Sequence, residues 1–105
     1  MYCRQSDMPP ASANDQRLTL MLRAIADPAR RRILAMLKES RYKKSRPCAG
    51  DIEQRLGLSQ STISHHMAIL RRAGLVEAAK QGTWIWYRRR EAGLRELQRM
   101  VRKAL

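Results

Sequence analysis

Acidic side chains are scarce in this chain. Nine Asp and Glu stand against 22 Lys and Arg in 105 residues, a net charge of +13. A field of that strength favours a polyanionic partner and speeds encounter with it. DNA, RNA and an anionic membrane surface are the candidates, and nucleic acid is the expected one. Cysteine is scarcer still: Cys3 and Cys48 are the only two. That excludes a disulfide framework and a zinc finger, and a reducing cytoplasm is the expected setting. No apolar run approaches the ~20 residues that span a bilayer, so no membrane partner is expected. The opening MYCRQSDMPPASAND has no apolar core of the kind a signal peptide needs. Paired carboxylates, or a nucleophile with a base at workable spacing, are also missing, which argues against an enzyme.

What is present fits one small domain with a thin core, leaving apolar surface for a partner subunit to cover. Residues 1–13 are polar, carry Pro9-Pro10, and read as a flexible arm; 14–105 read as the folded domain. Leu18, Met21, Leu22 and Ile25 recur at helical spacing and predict an amphipathic first helix. Asp27 is placed to cap a second helix, PARRRILAMLKE, with Pro28 in its first turn and Ile33, Leu34 and Leu37 inward. A loop, SRYKKSRPCAG, follows; its Lys43 and Lys44 are expected to be solvated or to touch phosphate. A last helix from about Glu91 to Lys103 carries Leu94, Leu97 and Val101 on one stripe.

The most informative stretch is DIEQRLGLSQSTISHHMAILRRAGL, residues 51–75. It predicts a short helix with Asp51 as its cap, a tight turn at Gly57-Leu58-Ser59, and a second helix capped by Ser59. Ile63, Met67 and Leu70 then face the core, leaving Ser61, Ser64, His65, Ala68 and Arg72 outside. Small polar residues at the start of such a helix let it approach base edges in a major groove. Ser59, Gln60, Ser61, Thr62, Ser64 and His65 are therefore the expected DNA-reading residues; Gln pairs well with adenine and Ser with either base type. His65 and His66 point about 100° apart on a helix and cannot share one metal ion. His66 is expected to pack beside the core with its ring hydrogen-bonded.

A hairpin follows: LVEAAK, a turn at Gln81-Gly82, and TWIWYR. Lys80, Gln81 and Gly82 form its expected tip, in reach of a phosphate backbone or a minor groove. Arg71, Arg72 and Arg88 are the further phosphate contacts. Trp84 and Trp86 share one face of the ribbon. They are expected to cover the hairpin base or pack on the last helix rather than stack on bases, because stacking platforms serve single strands. The fold class is thus mainly α, about five helices plus a two-stranded wing: a winged helix-turn-helix. A protein-interaction module on the same fold is the competing class, but the polar outer face of the fourth helix does not favour it.

LRAIADPARRRILAML, DIEQRLGLSQSTISHHMAILRRAGLVE and GTWIWYRR together resemble the ArsR family of winged-helix bacterial repressors, over roughly residues 18–101. The resemblance implies a homodimer formed by the first and last helices, through Leu18, Met21, Leu22, Ile25, Leu94, Leu97 and Val101. It implies a palindromic double-stranded operator, repression of transcription, and release by an inducer. The sensing motifs depart from the family pattern. Arsenic- and lead-type members carry Cys-x-Cys followed by Asp, whereas here Cys48-Ala49-Gly50-Asp51 has glycine for the second thiol. The last helix has no His for a zinc-type site and no Cys for a redox pair. Soft metals and arsenite need two or three thiolates. The expectation is therefore no metal site and no cofactor. The alternative is a thiol switch at Cys48, with or without Cys3, answering arsenite, another thiophilic ligand or an oxidant.

Overall fold

The computed structural model describes residues 10–42 and 47–105. Its elements run α1 (Ala13–Ala26), α2 (Pro28–Tyr42), α3 (Ala49–Leu56), α4 (Gln60–Arg72), β1 (Val76–Gln81), β2 (Trp84–Arg89) and α5 (Glu91–Ala104). This is the winged helix-turn-helix read from the sequence. Cys3, Lys43 and Lys44, and most of the expected arm, lie outside the described residues.

The α1–α2 corner is built by three residues of one short motif. Asp27 has an extended backbone, and its Oδ1 accepts from the amides of Ala29 at 2.7 Å and Arg30 at 3.4 Å. Pro28 takes the first helical position, where an amide proton would have no partner. The guanidiniums of Arg30 and Arg31 then turn back onto α1. Arg30 donates to Ala24 O at 2.6 Å and Arg23 O at 3.0 Å, and Arg31 to Ile25 O at 2.7 Å and Ala26 O at 3.0 Å. These are the last four carbonyls of α1, the groups a helix leaves without internal partners.

The core collects Met21 and Ala24 from α1, Ile33 and Leu37 from α2, Ile52 from α3, and Ile63, Met67 and Leu70 from α4. Val76 and Tyr87 bring in the base of the hairpin. The strands pair antiparallel from Val76↔Arg89 to Gln81↔Trp84. Both strands lie one residue further toward the C-terminus than expected, so the turn is Gly82-Thr83 rather than Gln81-Gly82, with Gly82 at φ 59°. The outer edge of β2 is covered by the chain entering α3: Tyr87 N donates to Pro47 O at 3.2 Å, and Cys48 bridges to Trp86.

Two helix boundaries differ from expectation. α2 continues past Glu39 to Tyr42, because nothing in its sequence breaks a helix there. α3 starts at Ala49, so Cys48 is the cap and Asp51 is the third helical residue. Asp51 reaches back instead, accepting from the Cys48 amide at 3.0 Å.

α5 docks through a glycine contact. Gly74 (φ 75°) ends α4 in a Schellman turn, Gly74 N bonding Arg71 O at 2.9 Å and Leu75 N bonding Leu70 O at 3.0 Å. The first turn of α5 lies on that turn so closely that a Cβ on Gly93 would overlap the Gly74 carbonyl oxygen. Arg17 on α1 holds the same helix by a two-point bond to Glu96, at 2.9 and 3.0 Å. Gly93→Ala is expected to lower unfolding free energy by roughly 1–3 kcal/mol, the usual cost of overpacking; a urea midpoint equal to wild type would contradict the contact.

Three carboxylates sit below their ordinary pKa in the folded chain. The Ala29 amide does this for Asp27, the Cys48 amide for Asp51 and the Arg17 guanidinium for Glu96. A carboxylate whose pKa is lower folded than unfolded stabilises the fold above its unfolded pKa. That contribution disappears as pH falls through the folded value. The thermal midpoint is expected to fall as pH drops from about 5 to about 2, and Asp27→Asn to flatten part of the fall. A midpoint unchanged between those limits would show that these groups do not stabilise the fold.

Candidate nucleic-acid interface

α3 ends at Gly57, whose left-handed backbone (φ 66°) lets its amide bond Glu53 O at 2.8 Å while the chain turns. Leu58 packs half-buried against the core, and Ser59 caps α4. Ser59 Oγ accepts from the Thr62 amide at 3.3 Å, donates to Thr62 Oγ1 at 2.9 Å and lies 3.2 Å from Ser61 Oγ. Ser59 and Thr62 thus use their hydroxyls within the cap. The first turn of α4 contains no acid. Its leading amides have no intrahelical acceptor, so the helix start keeps a positive potential suited to phosphate.

Burial divides α4 cleanly. Ile63, His66, Met67 and Leu70 are buried. Gln60, Ser61, Ser64, His65, Ala68, Arg71 and Arg72 are exposed, as the periodicity predicts. The two histidine rings lie 6.0 Å apart at 51°, one in solvent and one inside. His66 Nδ1 lies 3.1 Å from Arg30 Nη1. A guanidinium has no acceptor, so Nδ1 accepts and the proton sits on Nε2. His66 therefore ties α4 to the α1–α2 corner. Arg30 was not singled out from the sequence, although its position three residues after the Asp27 cap marks it.

The wing stands beside α4. Ala68, Arg71 and Arg72 face Val76, Glu77 and Ala78 of β1 across an open cleft. Lys80, Gln81 and Gly82 are exposed at the tip end. Arg88, an expected phosphate contact, pairs with Glu77 at 2.6 Å directly across the strand pair while its side chain stays 60% exposed. Arg89 is also structural, pairing with Glu91 at 2.9 Å and donating to Leu34 O at 3.2 Å. Burial pushes the Tyr87 phenol above its ordinary pKa, with Arg71 opposing the shift.

The tryptophans separate. Trp86 is half-buried at the covered edge of β2, but Trp84 is 59% exposed, so neither the hairpin base nor α5 takes it in. Trp84 is placed at the turn end of the ribbon, beyond the reach of the base.

The expected dimer stripes also divide. Met21 and Leu97 are buried within the protomer's own core and are not free for a partner. Leu22 is 41% exposed, while Leu18, Ile25, Leu94 and Val101 are partly covered. Cys48 is buried, and its thiol donates to Asp51 Oδ2 at 3.2 Å. Among the described residues no group of three or more His, Cys, Asp or Glu is placed to hold a metal ion. No helix among them is long and apolar enough to cross a membrane.

The chain is similar to known regulators. It is 37% identical over 81 residues to an uncharacterized HTH-type transcriptional regulator of Methanocaldococcus jannaschii, covering 77% of this chain and 86% of the relative. It is 37% identical over 67 residues to the transcriptional repressor SdpR of Bacillus subtilis, covering 64% and 69%. The solved structure of HlyU from Vibrio cholerae superposes with a TM-score of 0.66 at 30% identity, covering 88% of this chain and 96% of that one. Residues 27–78, from the Asp27 cap into β1 of the wing, match the family described as bacterial regulatory protein, arsR family. By these matches the chain belongs to the arsR family of bacterial regulatory proteins.

Proposed function

We propose that this regulator acts as a homodimeric repressor on a palindromic double-stranded operator, each protomer laying α4 in a major groove. The outer face of α4 carries the reading: its first turns present Gln60, Ser61, Ser64 and His65 to solvent, with no acid anywhere on the helix. Gln60 and the two serines reach base edges, and His65 reaches a phosphate or a guanine. Arg71 and Arg72 follow the backbone at the other end of the helix, and Lys80, Gln81 and Gly82 approach from the wing. Lys43 and Lys44 belong to the same reading as phosphate contacts.

Dimerisation is proposed through α1 and α5. An open groove of about 710 Å³ runs beside α5, with Ile25, Leu34, Leu94, Leu97 and Val101 among its lining. Apolar surface of this kind favours a second copy. As for release, arsenite needs more thiolates than Cys48 provides, and the Cys48 thiol already donates a hydrogen bond to Asp51. A thiophilic signal would need Cys3 as well, in this protomer or its mate.

The DNA reading is tested by Ser64→Glu and His65→Glu in gel shifts with duplexes that the wild type selects from a random pool. A carboxylate facing phosphate should weaken binding at least about a hundredfold, with the circular dichroism spectrum unchanged. Retained affinity would remove α4 from the interface. The dimer is tested at Leu22→Glu, which should sediment mainly as a monomer where wild type sediments as a dimer. A wild-type monomer at the same concentration would end that part of the proposal.

A further inference from the structure

Trp84 is the largest apolar side chain left in solvent among the described residues, at 59% exposed. It belongs to the last pair of the ribbon, Gln81↔Trp84, next to the Gly82-Thr83 turn. Its neighbour Ile85 is 38% exposed and sits opposite Lys80. The tip therefore carries an indole on one face and an aliphatic side chain beside a cation on the other. The one acid of the ribbon, Glu77, is at the other end and paired with Arg88. An exposed indole at one face of the tip, with a long cationic side chain on the other, suits a partner with an apolar interior between two lines of phosphate.

The indole is also held in place. Trp86 lies behind it on the same face, ring centroids 6.5 Å apart and planes at 31°. The strand under Trp86 is fixed by the Cys48 bridge and the Pro47 carbonyl. The opposite face of β2 is committed to the core through Tyr87, which is buried. Trp84 consequently cannot turn inward without breaking the alternation of the ribbon.

We propose that Trp84 is a wedge that enters the DNA minor groove flanking the major-groove segment read by α4, with Lys80 on the adjoining phosphates. This rests on the DNA-binding reading above and adds a contact to it. The undeformed minor groove is narrow, and a single side chain enters it more readily than a whole ribbon; apolar wedges from minor-groove proteins part neighbouring base steps there. The wedge makes binding sensitive to how easily the flanking steps deform. Pyrimidine–purine steps are the most compliant, so they are favoured at positions outside the reach of α4. Stacking on single strands is the other use of an exposed indole. It calls for a row of aromatic platforms, whereas Trp86 offers no second open ring.

The test uses the full chain and a labelled duplex that wild type selects from a random pool, followed by anisotropy. Trp84→Ala should bind about tenfold more weakly, the scale of one lost aromatic contact. Its salt slope should match wild type, because an indole neutralises no phosphate. Trp84→Phe should recover most of the affinity. Wild-type tryptophan emission should change on saturation with duplex, and that of Trp84→Phe, which keeps only Trp86, should not. Trp84→Ala binding as tightly as wild type, with wild-type emission unmoved, overturns the wedge and leaves α4 binding intact. Tighter binding to the separated strands than to the duplex also overturns it. A wild type that binds no duplex overturns the wedge and the DNA reading together.

Discussion

The guanidinium of Arg30 is the contact on which the arrangement of this molecule depends. Its side chain is 12% exposed, so the charge needs nearly complete pairing inside the protein. It receives this from three directions: the carbonyls of Arg23 and Ala24 at the end of α1, the Asp27 carboxylate 3.9 Å away, and Nδ1 of His66 on α4. One side chain thus ends the first helix, supports the cap of the second and fixes the inner face of the fourth. Replacing it with an apolar residue would leave helix-end carbonyls and an imidazole without their donor, and the loss would reach α4. With His66 held on the inside, His65 and the serines beside it are turned outward.

A chain of charge +13 must also place its few acids well. Asp27 and Asp51 receive the amides that begin α2 and α3, Glu96 ties α5 to α1, Glu77 neutralises Arg88, and Glu91 holds Arg89. Each of these acids makes contacts inside the fold. No acid occurs from Gln54 through Val76, the run that contains the turn and all of α4. Structural acids and the outer face of α4 are therefore kept apart along the chain. The same separation holds in the wing, acidic and paired at its base, cationic and apolar at its tip.

Most of the fold was legible because the signals were local. Asp27-Pro28, Ser59, Gly57 and Gly74 mark helix ends by backbone chemistry that depends on nearest neighbours, and the periodicity of Ile63, Met67 and Leu70 set the inner face of α4. The differences arise where a particular partner, near or far, decides. Asp51 looked like a cap, but Cys48 lies at the start of α3 and the acid reaches back to it. Met21 and Leu97 shared stripes with exposed residues, and only packing shows that the protomer's own core consumes them. Trp84 looked too apolar to remain wet, and alternation placed it on the right face; its distance from the body of the protein follows only from where the turn falls. Arg30 was hidden among three consecutive arginines, distinguished by its direction alone.

In the proposed complex the held helix α4 presents its outer face, with the wing, to duplex DNA. Amide shifts in a ¹H–¹⁵N spectrum, followed as a selected duplex is titrated in, test it most directly. Large shifts are expected at Gln60, Ser61, Ser64 and His65 and through the tip from Lys80 to Trp84, with small shifts at the corner from Arg23 to Arg31. Shifts concentrated on another surface, with the α4 amides unmoved at saturation, would contradict it.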